Sequence, residues 1–159
     1  PEAQNAKRLA VPVLGAALHL IARAEPVSAE AIGTIGLLWF AAAFYGVVTF
    51  VAGLQHLITP DRVAKYIGWP TGSGFQRELG WATVGIGAAG MLAPWLGPLY
   101  ALGPCVAGAI FSVGAAVGHA QEIRKTGNLS PGNAGPVFYV DILAPLLTIV
   151  AIWLATPWR

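Results

Sequence analysis

The sequence predicts an all-α fold, a polytopic transmembrane helical bundle, and three observations carry that prediction. Its 159 residues are 56% hydrophobic and 10% charged, against roughly 25% charged in a soluble domain. Apolar runs free of Asp, Glu, Lys and Arg recur along the chain, bounded by turn formers or by charge. Mean hydropathy is +0.66, which leaves too little polar surface to coat a globule in water. The length suits one domain, read as a single membrane domain over residues 1–159. Cys105 is the only cysteine, so no internal disulfide forms. Nine Lys and Arg against seven Asp and Glu is too even a balance for a nucleic-acid footprint, so nucleic acid is not expected as a partner.

A bilayer core about 30 Å thick needs about 20 apolar residues per crossing. Leu9–Ala22, 14 residues, reaches only about 21 Å at 1.5 Å per residue. Lys7-Arg8 precedes it and Ala22-Arg23-Ala24 follows, an order that also resembles a signal peptide. It reads as a short first span over about 9–24 with Arg23 snorkelling, or as a helix lying in the interface. Ala31–Leu54 is a charge-free run of 24 residues and predicts a span over 31–58. Leu79–Gly118 is a charge-free run of 40 and predicts two, over 75–95 and 99–122. Between them Ala93-Pro94-Trp95-Leu96-Gly97-Pro98 makes a turn. Val137–Thr156, interrupted only by Asp141, predicts the last span over 137–156. Four spans follow, with the short N-terminal stretch as a fifth.

Charge placement favours five. With five crossings Lys7, Arg8, Arg62, Lys65, Arg77, Arg124 and Lys125 share one side, leaving Arg23 and Arg159 on the other. The positive-inside rule then puts the N-terminus inside and the C-terminus outside. Trp95 and Trp158 suit the outer interface, and Tyr66 and Trp69 the inner one. Thr59-Pro60-Asp61 reads as an N-cap, a proline at the first helical position and an acid in the first turn. A short surface helix is expected from there to Ile67, ending at Gly68. The 126–136 loop is dense in turn formers. Two small-residue ridges, Gly85/Ala89/Ala93 and Gly108/Ser112/Ala116/Ala120, and the GxxxG of Gly114 and Gly118, predict close internal helix packing.

Ionisable groups within membrane helices are costly and are functional candidates by default. The topology brings them to one end. His56 lies one turn before the end of the 31–58 helix, Glu78 in the first turn of the next, His119 and Glu122 at the end of the 99–122 helix, and Asp141 about one turn into the last. Gln76 and Tyr139 add hydrogen-bonding capacity there. The candidate polar site is therefore His56, Gln76, Glu78, His119, Tyr139 and Asp141, at the cytoplasmic end. His56, His119, Glu78 and Asp141 are candidate ligands for Zn, Mn or Fe, and His56 with His119 for a haem. His19 stands alone and reads as structural or interfacial. Pro145, four residues after Asp141, frees the Asp141 carbonyl and kinks the helix.

The segments Ile67-Gly-Trp-Pro-Thr-Gly-Ser-Gly-Phe-Gln-Arg-Glu-Leu-Gly80, Gly118-His119 and Ser130-Pro-Gly-Asn-Ala-Gly-Pro-Val-Phe-Tyr-Val-Asp-Ile-Leu143 together resemble an uncharacterised family of small bacterial multi-span membrane proteins. That family is loosely similar to the DoxX-like membrane proteins. The resemblance runs from about residue 9 and implies the bacterial cytoplasmic (inner) membrane. It implies site roles for Gln76, Glu78, His119, Tyr139, Asp141 and His56, while Glu122 departs from an expected glutamine. It supplies no activity, and the thiol chemistry associated with DoxX-like relatives finds only the lone Cys105 here.

Three functions compete on these residues. The first is an accessory or scaffold subunit of a larger membrane complex, its polar cluster fixing helix packing. The second is a metal-, haem- or small-ligand-binding membrane protein. The third is a proton-coupled transporter or channel titrating at Glu78, His119 and Asp141. The chain has no inverted repeat, so a pore would need oligomerisation. No nucleophile and base are spaced for covalent catalysis, so no catalytic residue is named and an enzyme is not the leading expectation. Membrane lipid is the one partner the composition requires; a homo-oligomer or a larger complex is the further expectation.

Overall fold

The computed structural model describes residues 28–155, with Gly15 and Leu18 as isolated helical positions before them. The expected first span, His19, Arg23, and the terminal Trp158 and Arg159 lie outside the described residues. Among the described residues every regular element is helical.

Helix α1 runs from Ala29 to Ile58. Its start is set by Ser28, whose hydroxyl accepts the Ala31 amide at 3.1 Å, with Glu30 in the first turn facing the positive end of the dipole. Hydrophobicity alone predicts an unbroken α-helix here, but Ala41–Val48 is π-helical. The wider turn gathers Phe40, Phe44 and Tyr45 into one aromatic group, with ring centroids 5.1–5.3 Å apart. The Thr49 hydroxyl follows the same i−5 register and donates to the Phe44 carbonyl at 3.3 Å. α2 spans Pro60–Ile67 and stops at Gly68, whose φ of 79° is left-handed, as expected from the sequence. The Thr59 hydroxyl does not cap it; it bonds back to the Gln55 carbonyl at 3.2 Å and closes α1 instead.

α3 spans Phe75–Met91. It packs along the second half of α1 through backbone-to-backbone approaches that only glycine permits. A Cβ on Gly87 would meet Phe50 at 2.6 Å, and one on Gly90 the Ala41 carbonyl at 2.6 Å. The short α4, Ala93–Leu96, turns the chain at Gly97 (φ 91°), and Trp95 at its tip is 79% exposed. α5 spans Pro98–Thr126 and ends on left-handed Gly127, with Arg124 and Lys125 in its last turn. α6 is the single turn Pro131–Ala134, and α7 is Pro136–Ala155.

Three helical stretches, Ala29–Ile58, Pro98–Thr126 and Pro131–Ala155, are long and apolar enough to cross a membrane. Large apolar side chains point away from the bundle, such as Ile149 at 64% and Trp153 at 71% exposed. A helix that is apolar on every face is a membrane-type helix. The core joins Leu37, Leu38, Ala41 and Tyr45 of α1 to Ala93, Ala101, Cys105 and Ala144. Tyr45 lies flat against Gly108 and donates to the Thr148 Oγ1 at 2.9 Å, since that hydroxyl's own proton goes to the Ala144 carbonyl at 2.8 Å.

The small-residue ridges sort differently from expectation. Gly108 and Ser112 are buried as predicted, but nothing lies within 4 Å of a Cβ on Gly114, Gly118 or Gly85. The ridge that α3 turns to α1 is Gly80, Thr83, Gly87 and Gly90. A stripe of small residues marks a helix face without saying whether a helix covers it.

Candidate functional site

The loops at one end of the bundle are tied to each other by side-chain amides. Asn128 sends its Nδ2 to the carbonyls of Ile67 and Gly68 at 3.0 and 3.2 Å, while its Oδ1 accepts the Ser130 amide at 3.0 Å. Gly132 rests against the Tyr66 ring. These contacts hold the end of α2 against the turn that leads into α7.

His119 joins that loop assembly to the bundle. Asn133, fully buried, donates its Nδ2 to the Asn128 carbonyl at 2.9 Å. That bond orients the amide, so its Oδ1, 2.8 Å from His119 Nδ1, must accept. The imidazole therefore carries its proton on Nδ1 and turns Nε2 to Asp141 Oδ2 at 3.9 Å. Trp69 and Phe138 wall the imidazole, with centroids 5.7 and 6.4 Å away. His119 and Asn133 are thereby buried and held in one orientation.

A second polar group lies on the other side of Trp69. A cavity of about 710 Å3 is lined by His56 from α1, Trp69, Gln76 and Glu78 at the head of α3, and Glu122 near the end of α5, with Phe75, Leu79 and Ala82 as apolar wall. Gln76 Nε2 donates to the Pro60 carbonyl at 3.0 Å, which turns its Oε1 away as an acceptor. Both that oxygen and His56 Nδ1 are buried and have no hydrogen-bond partner among the described residues. Glu122 Oε1 accepts from Thr126 Oγ1 at 3.0 Å.

The six residues expected as one polar cluster thus form two sets and an outlier. His56, Gln76 and Glu78 share the cavity, His119 and Asp141 share the node, and Tyr139 is 59% exposed beside Phe138. Among the described residues no three of His, Cys, Asp and Glu converge as a metal site. The candidate ligands His56 and Glu78 face the cavity, while His119 and Asp141 are engaged with each other. For the same reason His56 and His119 do not form an opposed axial pair. Sequence reasoning missed Asn128 and Asn133, which it counted as turn formers. It also left Glu122 outside the site, although this residue lines the cavity.

These blocks, the 67–80 segment with Gln76 and Glu78, His119, and the 130–143 segment with Asn133 and Asp141, fall within one family pattern. The chain belongs to DUF6790. It is described as a family of unknown function, and its profile matches residues 6–158. No curated protein and no solved structure matches the chain.

Proposed function

We propose that this is a multi-pass membrane protein that binds a small ligand in the cavity at its loop-rich end, the His119 node serving as the rigid wall behind it. The observation that carries this reading is the convergence of His56, Gln76, Glu78 and Glu122 on one half-open pocket of about 710 Å3. Native mass spectrometry of the protein in non-ionic detergent tests it. An adduct present on the wild type and on Asp141→Asn, and lost from Ala82→Trp, is the expected result. Adducts that ignore Ala82→Trp would falsify the cavity reading.

The satisfied His119–Asn133–Asn128 chain favours a second reading, an accessory or scaffold subunit of a membrane complex. Under it, Asn133→Ala disperses a copurifying complex while Ala82→Trp does not.

The membrane arrangement belongs to the same proposal. Phe75–Leu96, α3 with α4, extends about 33 Å at 1.5 Å per residue, which supports a fourth crossing. Helical Gly15 sits against the Trp39 ring of α1, which supports a fifth. Arg62, Lys65, Arg77, Arg124 and Lys125 all lie at the loop-rich end, in keeping with a cytoplasmic orientation of that end in a bacterial inner membrane. A distant likeness to DoxX-like membrane proteins is part of this reading and assigns no chemistry to it.

A further inference from the structure

The cavity has a charge sign and an extension. Two carboxylates, Glu78 and Glu122, line it, and no Lys or Arg does. Among the described residues neither carboxylate has a Lys or Arg within ion-pair distance. Gln76 gives one N–H to the Pro60 carbonyl, and its Oε1 is buried without a partner among the described residues. Trp69 and Phe75 also line it. Carboxylates and aromatic side chains around one pocket describe a cation site, and aromatic side chains suit an organic ammonium better than a hydrated metal ion.

The extension runs along α3 and α5. These helices meet over far less of their length than α1 and α3 do. Nearer the α4 turn they leave a second hollow of about 470 Å3, lined by Gly85, Ala89, Gly103, Pro104 and Ala107. Along α5 the positions 103, 107, 110, 114, 118 and 122 lie on one broad face, with the exposed Ile110 standing between its small residues. A Cβ on Gly103, Gly114 or Gly118 would meet nothing within 4 Å. That face thus leads from the apolar hollow to Glu122 and the acidic cavity.

We infer that the ligand is an amphiphile bearing an organic ammonium group, its head between Glu78, Glu122 and Trp69 and its chain in the groove between α3 and α5. This rests on the cavity reading above. An amine-bearing lipid headgroup and a free alkylammonium share this chemistry.

The test uses the whole protein in dodecyl maltoside, titrated calorimetrically with dodecyltrimethylammonium, tetramethylammonium and dodecyl sulfate. The expected result is that Glu78→Gln/Glu122→Gln weakens dodecyltrimethylammonium binding roughly tenfold and leaves dodecyl sulfate unchanged, with tetramethylammonium roughly tenfold weaker than its alkyl counterpart throughout. Continued protection of the Cys105 thiol verifies that the double variant is folded. Competition by lysophosphatidylethanolamine identifies a lipid headgroup as the source; its absence identifies a free cation, and the ammonium assignment stands in both cases. Equal binding of ammonium and sulfate, indifferent to the double variant, overturns the assignment and leaves the cavity in place. If no amphiphile distinguishes the wild type from Ala82→Trp, the cavity reading itself fails. If Gly103→Leu turns a dimer into a monomer without changing ammonium affinity, the groove belongs to a second copy and the chain-binding part is overturned.

Discussion

Replacing Asn133 by Ala removes both the acceptor that sets the His119 tautomer and the donor that closes on the Asn128 carbonyl. The buried His119 Nδ1 then loses its partner at about 1–3 kcal/mol, and the part-buried Asn128 carbonyl loses its own at a smaller cost. Asp141→Asn keeps the shape of its side chain and gives up only a contact that at 3.9 Å is too long for a hydrogen bond. Asn133→Ala is therefore expected to lower the thermal midpoint more than Asp141→Asn does, when unfolding is followed by the exposure of Cys105, which is buried in the core. Equal midpoints would show that the node's stability resides in the His119–Asp141 contact. His119 and Asp141 were legible in the sequence because an ionisable group in an apolar run stands out. Asn133 was not, since an asparagine after Pro-Gly has a sufficient local explanation as a turn former. Its bond to a residue 14 positions upstream leaves no trace in spacing.

Helix ends were the most legible elements: Gly68 and the turn at Ala93–Pro98 fall where proline and glycine placed them. What hydropathy reports is how far along a helix a residue lies, because a run of apolar residues has a beginning and an end. It does not report which way the residue turns when every side of the helix is apolar, since lipid and protein then ask for the same side chains. That is why one expected cluster separated into two groups, and why the glycine face that α3 turns to α1 was not the expected one. The covered stripe is testable. Gly87→Leu and Gly108→Leu each force a side chain into Phe50 or Tyr45 and are expected to cost at least about 1–3 kcal/mol. Gly114→Leu meets open space and is expected to leave the midpoint nearly unchanged in the same thiol-exposure assay. A Gly114→Leu protein as unstable as Gly87→Leu would place a helix over that face.

Across the molecule the two ends differ in kind, one a bare hairpin at Trp95 and the other a knot of loops carrying five basic residues. Single-cysteine labelling with a membrane-impermeant maleimide, in vesicles of known orientation, reads this directly. Ser73→Cys is expected to label from the cytoplasmic face and Trp95→Cys from the opposite one, with Cys105 silent in both. Labelling of both from one face would show that α3 does not cross. The arrangement also depends on the π-helical stretch of α1. Each π turn holds more residues than an α turn, so Ala41–Val48 rotates everything after it backwards relative to an ideal helix. Upstream of it Gly33 packs on Leu154 and Ala155 of α7; downstream Gly53 packs on α3 and His56 enters the cavity. The stretch works as a phase adjuster, letting one continuous helix show a different side to each of two neighbours. A surplus residue there is absorbed locally. Loss of Ala43 lets the stretch relax toward α while the halves keep their bearings, whereas loss of Ala52 swings His56 by about 100°, away from the chamber it lines.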